Sequence, residues 1–537
     1  MNLITLPSPL QNLLPKRILE AQEVAALAPV RGKLSLIPEN IARQFQVVPF
    51  DGDGTQVCLL TTNTFSEPLK TVYDWLTTAG YTSDVYYTDE AGINIALSRY
   101  TQASSQEQAS QAKMKEQQEA TGKNAIAQIM EVYPNRASMD PGEFLMQLIK
   151  FAFQAGASDM HWQAQEEHVL LRLRIDGVLK TICEFSHNEY SAYVQKIKFL
   201  GGMKMNIDYL PQDGRLSFDV DLANGVHKKI DVRINSMPWT NSESLVLRYL
   251  DATHSTSTFE EIGFRWKWYE QLQHALDKHE GMILVTGPTG SGKTTTLYTI
   301  LHTLNDGTRK IITLEDPVEY MIEGIEQSQI NYTKWYTFEE GLKAVLRHDP
   351  DIILVWETRT AETAMTSLNA ALTGHLVFST LHTNSALDSL SRLMMMWVEA
   401  YLLAPALQLI VAQRLVRKTC PHCKTSREVS DQEDAYIVKS LANINLVRPD
   451  LKIEYNKMIP HTAGCEQCNG TGYIGRLALL EVMELTPEIR EKIVWDLRNT
   501  AEIMQMMRNN GFLTLLEDGL IKMLAWQTTI EELRRVI

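Results

Sequence analysis

Cysteine is scarce, six residues in a chain of 537, too few to staple a fold, so a disulfide scaffold of the secreted kind is excluded. Long apolar runs are lacking too. The most apolar long stretch, 401–416, is interrupted by Pro405, Gln408, Gln413 and Arg414 and falls short of the roughly 20 residues that a membrane-spanning helix needs. Any membrane association is therefore expected to be peripheral. Positive charge is in deficit, with 51 Lys and Arg against 65 Asp and Glu, a formal charge of -14 and a pI near 5.5, a poor electrostatic footprint for a nucleic-acid binder. No nucleic-acid partner is expected. The opening MNLITLPSPLQNLLPKR has no basic segment leading into a long apolar one, so it does not read as a signal peptide, and a cytosolic chain is expected.

What is present is ordinary globular composition, 44% hydrophobic and 22% charged, and at about 150 residues per domain the length predicts three or four domains. Residues 1–100 mix short apolar runs such as 57–60 with helical spacing at Leu69, Val72, Tyr73 and Leu76, which predicts a small α/β module. The stretch 101–124 is rich in Gln, Ala, Ser, Lys and Glu, has no aromatic residue, and reads as a linker. After Pro141, the positions Phe144, Leu145, Leu148, Ile149 and Ala152 predict a helix that stops near Gly156. Alternation over 169–175 followed by Asp176-Gly177 predicts a hairpin. With strand-like pieces at 229–235 and 244–250, this makes a second α/β domain over 125–255. From Gly281 the character changes. The runs 282–285, 311–314, 352–355 and 376–378 are almost wholly apolar and separated by helical segments, the pattern of parallel strands buried on both faces.

Gly287-Pro288-Thr289-Gly290-Ser291-Gly292-Lys293-Thr294 fits G-x-x-x-x-G-K-[ST] between a strand and a helical run, 295–304, which is the context a phosphate-binding loop requires. Its glycines let backbone N–H groups turn toward a β-phosphate at a helix N-terminus. Lys293 offers a charge to the β/γ oxygens, and the Thr294 hydroxyl is a ligand for Mg²⁺. Two of the downstream strands end in carboxylates, Glu315-Asp316 and Glu357. Acidic residues at strand ends also serve as solvated groups or helix caps, but two of them behind such a loop point to nucleotide hydrolysis.

Cys420-Pro421-His422-Cys423 and Cys465-Glu466-Gln467-Cys468 are two Cys-x-x-Cys knuckles 41 residues apart. Four thiolates make a closed tetrahedral Zn²⁺ site, structural rather than catalytic. A redox pair would stand alone near a thioredoxin-like helix. Cys58 and Cys183 read as small buried residues.

Several stretches together resemble the secretion ATPases of type IV pilus assembly and type II secretion, the PilB/GspE group. They are GASDMH at 156–161, RIDGV at 174–178, PQDGR at 211–215, the phosphate loop, LEDPVEY at 314–320, LRHDPDIILVWETR at 346–359, TGHLVFSTLHTNSA at 373–386 and VAQRLVRKTCPHC at 411–423. The resemblance covers residues from about 140 to the C-terminus and weakly 34–100. It implies a RecA-like P-loop ATPase domain over 256–537 with a zinc-binding insertion at 420–468, preceded by a PAS-like domain. It also implies a homo-hexameric ring using ATP and Mg²⁺ with sites between those domains, at the cytoplasmic face of the inner membrane beside a platform protein. Carried onto this chain, Glu315 orients or activates the attacking water, Glu357 stands on the Mg²⁺ side, and His375 and His382 fall in the histidine box. His382 is the better candidate to sense the γ-phosphate, while a structural hydrogen bond competes for His375. Arg233 and Arg248 complete the site, with a surface salt bridge as the alternative for each, and Arg172, Arg174 and Arg215 stand behind them.

The chain departs from the family where GEIRD is usual and Trp356-Glu357-Thr358-Arg359-Thr360 stands. Trp356 replaces a glycine, Thr360 a carboxylate, and Asn384-Ser385 stands where Asn-Asp is common. The expected function is pilin polymerisation by an ATPase motor, with the type II secretion motor as alternative. Retraction motors lack the long N-terminal region and the tetracysteine insertion. A RecA-like nucleic-acid translocase and a regulator that no longer hydrolyses are competing classes; the acidic pI opposes the first, and retention of Lys293, Glu315 and Glu357 the second.

Overall fold

The structure is a computed structural model and describes residues 16–26, 36–37, 39–51, 56–62, 67–78, 81–98, 125–221, 227–240, 242–250, 258–265, 267–496 and 499–537. The expected linker 101–124 lies outside them, as does most of the N-terminal stretch. The chain divides into the units Met1–Glu119 and Ala120–Ile537. In the first, β1 (Ile18–Leu19), β2 (Val47–Asp51), β3 (Gln56–Thr61) and β4 (Thr82–Thr88) form a sheet in the order β1-β4-β3-β2. Helix Glu67–Thr78 buries Leu69, Val72 and Leu76, the three- and four-residue spacing of one helical face.

The second unit holds, among the described residues, two large sheets and a third of only two strands. Strands β5 (Ala157–Ala164), β6 (Val169–Ile175), β7 (Val178–Phe185), β8 (Gln212–Asp221), β9 (His227–Trp239) and β10 (Ser242–Leu250) pair antiparallel in the order β7-β6-β5-β10-β9-β8. Alternate residues, among them Leu171, Leu173, Leu216, Val232 and Leu247, pack into one core with Phe144 and Leu148 of helix Pro141–Gln154 and Tyr190 of helix His187–Leu200. Asp140 caps the first of these helices, accepting from the Gly142 and Glu143 N–H groups. The hairpin turn is where expected: Asp176 and Gly177 both adopt positive φ, 49° and 79°, the combination a two-residue type I′ turn demands.

The larger sheet runs β13 (Glu326–Gln329), β12 (Ile311–Glu315), β14 (Ile352–Val355), β15 (Leu376–Leu381), β11 (Gly281–Thr286), β16 (Leu407–Thr419), β19 (Tyr473–Glu484), parallel except for β19. Every residue of β11, β12, β14 and β15 is buried. Along β11 the side chains divide between two cores, Met282 and Leu284 into one and Ile283 and Val285 into the other, so an unbroken apolar run is what a strand covered on both faces needs. β11 pairs with β15 and β16, and the chain leaving it crosses two strands to reach β12, which opens a crevice at the carboxyl ends of these strands. This is the α/β, RecA-like core. Segment 401–416 belongs to helix Ala400–Ala406 and β16, and among the described residues no helix is long and apolar enough to cross a membrane. Between β16 and β19 the cysteine insertion carries β17 (Lys424–Glu428), β18 (Met458–Thr462) and helix Asp431–Val447.

Inside helix Leu515–Leu524, Lys522 and Asp518 form a buried ion pair, 2.7 Å. Lys522 Nζ also donates to Ala478 O (2.6 Å), and Leu480 N donates to Asp518 Oδ2 (2.8 Å). Removing one partner strands the other's charge, so Lys522→Met is expected to cost about 3–5 kcal/mol. The Asp518→Asn/Lys522→Met double variant is expected to cost less. Urea unfolding of parent and variants measures both, and a double variant as unstable as the single one would dismiss charge as the cause.

Candidate nucleotide and metal sites

β11 delivers the chain into the phosphate loop, and helix Lys293–Leu304 leaves it. A Cβ on Gly287, at φ 150°, would lie 2.4 Å from Gln413 O, and one on Gly292, at φ 90°, 2.8 Å from Gln413 Nε2, so the loop lies directly against β16 and only glycine fits there. Lys293 Nζ donates to the loop's own carbonyls, Gly287 O at 2.8 Å and Pro288 O at 3.1 Å. Burial pushes its ammonium down to about 8, with Glu357 opposing the shift and Arg414 adding to it. Thr294, beside it in the helix, is half-buried, and the buried Ser291 hydroxyl has no hydrogen-bond partner among the described residues.

Glu357 follows β14 and meets the first residue after β15: His382 Nε2 lies 3.4 Å from Glu357 Oε1. Arg359 holds the other carboxylate oxygen at 2.7 Å. Burial and the Lys293 charge lower the His382 pKa, Glu357 opposes them, and Arg359 lowers it further. Arg414 Nη2 donates to Asn384 Oδ1 of the same loop at 2.8 Å. His375 does not join this group. It stands before β15, at the opposite end of six strand residues and roughly 20 Å away at about 3.3 Å per residue, and its Nδ1 donates to Ala370 O at 3.0 Å. The structural hydrogen bond is its place in this structure.

The departures from the family pattern have local explanations. The Trp356 ring packs into both cores and edge-on to Tyr298, with centroids 6.2 Å apart. Thr360 caps helix Ala361–Leu372, accepting from Thr363 N at 3.2 Å, and Ser385 caps helix Ala386–Met395, accepting from Asp388 N at 3.1 Å. At both positions a hydroxyl does what an aspartate does at an N-cap.

Glu315 ends β12 wholly buried. Tyr298 OH donates to its Oε2, and Thr313 Oγ1 (2.5 Å) and Gln327 Nε2 (3.1 Å) donate to Oε1. Glu319, four residues on, is half-buried and electrostatically faces Arg248, Arg233 and Arg215: burial raises its carboxyl above the usual range, Arg248 and Arg233 pull it back, Glu315 raises it further, and Arg215 pulls it back. Those arginines are neighbours by register. Arg215 stands opposite Arg233, Arg233 opposite Arg248, Arg248 opposite Asp159, and Asp159 opposite Arg174, one row across five strands on the face away from the core. Asp159 takes Arg248 Nε at 2.8 Å and Arg174 Nε at 3.5 Å, Arg233 lies 3.8 Å from Asp213, and Arg215 Nη2 donates to Gln329 Oε1 at 3.3 Å. Arg172, one row along, donates to Gln163 Oε1 at 3.0 Å. Sequence reasoning missed Glu319, Arg414, Tyr298 and Gln327. Glu319 had a signal: it shares the LEDPVEY box but falls in the loop after the strand, where a carboxylate escapes burial between two neighbouring strands.

The four cysteines converge at the ends of β16 and β19. Cys420 Sγ to Cys465 Sγ is 3.8 Å, Cys423 to Cys468 3.9 Å and Cys465 to Cys468 3.8 Å, with all four sulfurs within 4.8 Å of one another. A tetrahedron with Zn–S bonds of about 2.3 Å has edges of about 3.8 Å, so the donor set fits Zn²⁺, and none of these sulfurs is bonded to another. His422 is exposed beside them. Cys58 is half-buried and Cys183 buried, both free. The turn of the β6–β7 hairpin meets this knuckle: Gly475 N donates to Asp176 Oδ2 at 3.1 Å, and Lys180 Nζ to Asn469 O at 3.4 Å.

Residues 136–535 match the family described as Type II/IV secretion system protein. The chain is 35% identical over 514 residues to the type IV pilus assembly ATPase PilB of Thermus thermophilus, a likeness covering 94% of this chain and 54% of that protein, so it spans about half that relative's length. It is 41% identical over 386 residues to the type II secretion system protein E of Dickeya dadantii, covering 72% of this chain and 73% of that one. In fold it is similar to the Legionella pneumophila ATPase DotB, with a TM-score of 0.53 at 20% identity over 73% of this chain and 94% of that one. The chain belongs to the Type II/IV secretion system protein family, the secretion ATPases of type IV pilus assembly and type II secretion.

Proposed function

We propose that this chain is the subunit of a homo-hexameric motor that hydrolyses ATP at the cytoplasmic face of the inner membrane and drives pilin polymerisation through a platform protein. The observation that supports it is the meeting of two charge systems along one strand edge. Lys293, Glu357, His382 and Arg359 lie on the phosphate-loop side. Asp316 lies in the field of Arg359, and Glu319 lies in the field of Arg215, Arg233 and Arg248.

In this reading Lys293 binds the β/γ oxygens, and the Thr294 hydroxyl with the Glu357 carboxylate, hard oxygen donors, would hold Mg²⁺. When bound, that ion neutralises charge building on the phosphate oxygens. Glu319 takes the proton of the attacking water as its oxygen bonds to the γ-phosphorus and the bond to ADP breaks. Its raised affinity for protons suits that task. Glu315, assigned this role from sequence, is spent on three internal donors and serves Glu319 instead. Arg233 and Arg248 offset the developing negative charge, and His382, paired with Glu357, reports the γ-phosphate. Cys420, Cys423, Cys465 and Cys468 hold a structural Zn²⁺.

Pilus assembly is favoured because the likeness to the Thermus protein runs through 94% of the chain, N-terminal unit included, whereas that to the Dickeya protein covers 72%. Type II secretion is the second reading, supported by the 41% identity over 386 residues to the Dickeya protein. Deleting the gene separates them: loss of pili with secretion intact supports the first, the converse the second.

Lys293→Ala is expected to abolish nucleotide binding and turnover, whereas Glu357→Gln and Glu319→Gln keep binding and lose turnover by about 10²–10⁴-fold. Steady-state hydrolysis beside fluorescent-nucleotide titration checks this, and parent-level turnover in any variant removes that residue from the catalytic set.

Because phosphate binding favours charged Lys293, whose free ammonium is held near about 8, binding takes up a proton as pH rises through that value. Below it affinity is flat, and above it the apparent Kd for ATP should rise about tenfold per pH unit. Titrations between neutral and alkaline pH test the sign, and a flat profile would reject it.

Elemental analysis of material never exposed to chelator should find one zinc per chain. Cys465→Ser should lose it and loosen the insertion, with a larger loss of pilus output than of basal hydrolysis. Metal-free parent protein would overturn the zinc assignment.

A further inference from the structure

Glu315 is wholly buried and the proposed chemistry gives it no direct part, yet the chain surrounds it with three donors. Two of those donors also grip the loop that carries Glu319. Tyr298, in the second turn of the helix that begins at Lys293, donates to Glu315 Oε2 and packs its ring edge-on against Tyr320, the neighbour of Glu319. Gln327, on β13, donates through Nε2 to Glu315 Oε1 (3.1 Å) and to Tyr320 O (3.1 Å), while its Oε1 accepts from Ile322 N (2.6 Å). Tyr298 is walled in by rings, with Tyr320 edge-on at 4.6 Å and 83° and Trp356 at 6.2 Å and 67°. Trp356, which stands where the family has glycine, is part of that wall.

We propose that Tyr298, Glu315 and Gln327 form a buried set of positioning residues that fixes Glu319 relative to the phosphate loop; this rests on reading Glu319 as the acceptor of the water's proton. The set joins the helix that bears Lys293 to the loop at Tyr320 and Ile322, on the C-terminal side of Glu319, so engagement of phosphate by the helix and aim of the carboxylate are mechanically one event. A carboxylate at its centre suits the task, because it accepts several hydrogen bonds at once and a neutral residue of similar size would leave donors unsatisfied. Glu315 acts on Glu319 by charge as well. The charged groups facing Glu319 are Glu315, which strengthens its hold on a proton, and Arg248, Arg233 and Arg215, which weaken it.

The test uses the full chain with Mg²⁺ and ATP. Tyr298→Phe, which keeps the ring, should lower kcat by roughly tenfold to a hundredfold through misplacement alone, leaving KM and the Kd of a fluorescent ADP analogue within about twofold. Gln327→Met should do the same from the other side of the loop. Glu315→Gln should in addition move the acid limb of the pH–kcat profile to lower pH, a shift that loss of packing would not produce. Parent-level kcat in Tyr298→Phe and Gln327→Met, with Glu319→Gln inactive, would overturn the positioning set and keep Glu319. A kcat loss matched by loss of nucleotide affinity or of the thermal transition would also overturn it, in favour of plain stability. Parent-level turnover in Glu319→Gln would instead remove the reading of Glu319, and the set with it.

Discussion

Three arginines, Arg215, Arg233 and Arg248, stand directly opposite one another on adjacent strands, and like charges at opposed positions repel. Asp159 and Asp213 answer part of that repulsion. Glu319 on the facing loop answers more of it. Nothing local relieves it by slippage, because Leu216, Val232 and Leu247 alternate with the arginines and lie in the core. A one-residue shift of register would put the guanidinium groups inside and the leucines out. The hydrophobic core therefore fixes the row, and the row dictates what the opposite bank must carry.

That bank is the carboxyl edge of the parallel sheet, where two glutamates four residues apart have unlike environments. Glu315, enclosed between β13 and β14 and beneath Tyr298, has its lone pairs filled by protein donors. Glu319, past the strand, is half-buried with arginines in front. Burial makes its charge expensive and the arginines offset part of that cost, so its carboxyl holds a proton more tightly than an ordinary glutamate does.

Much of this was legible in the sequence, for physical reasons. The strands at 282–285, 311–314 and 352–355 showed because full burial on both faces forces unbroken apolar runs. The two Cys-x-x-Cys pairs showed because thiolate geometry constrains spacing by itself. The α/β module, the helix after Pro141 and the Asp176-Gly177 turn carried their signals locally. β8 was overlooked although Leu216, Phe218 and Val220 alternate, and β16 was read only as an apolar stretch, since apolarity alone does not distinguish helix from strand. The two histidines bracket one strand, and only the rule that ligands gather at carboxyl ends separates them; it selects His382. The same rule points to Glu315, and there it is overridden by tertiary packing, because Tyr298 arrives from a helix and Gln327 from a strand that no local pattern ties to that position.

The cysteine insertion enters the same argument from the other side of the molecule. It hangs between β16 and β19, the strands that extend the ATPase sheet beyond the phosphate loop, and a tetrahedral metal would make its knuckle rigid. The hairpin that meets the knuckle through Asp176 and Gly475 includes β6, whose Arg174 closes the arginine row. At the row's far end Arg215 reaches Gln329 on β13. The arginine-bearing sheet thus touches the ATPase sheet at two separated points, one beside the thiolates and one beside the acidic loop. Two such contacts constrain a rotation where one would leave a pivot, so the distance from the guanidinium groups to the phosphate loop depends on the order of the cysteine knuckle as well as on what occupies the cleft.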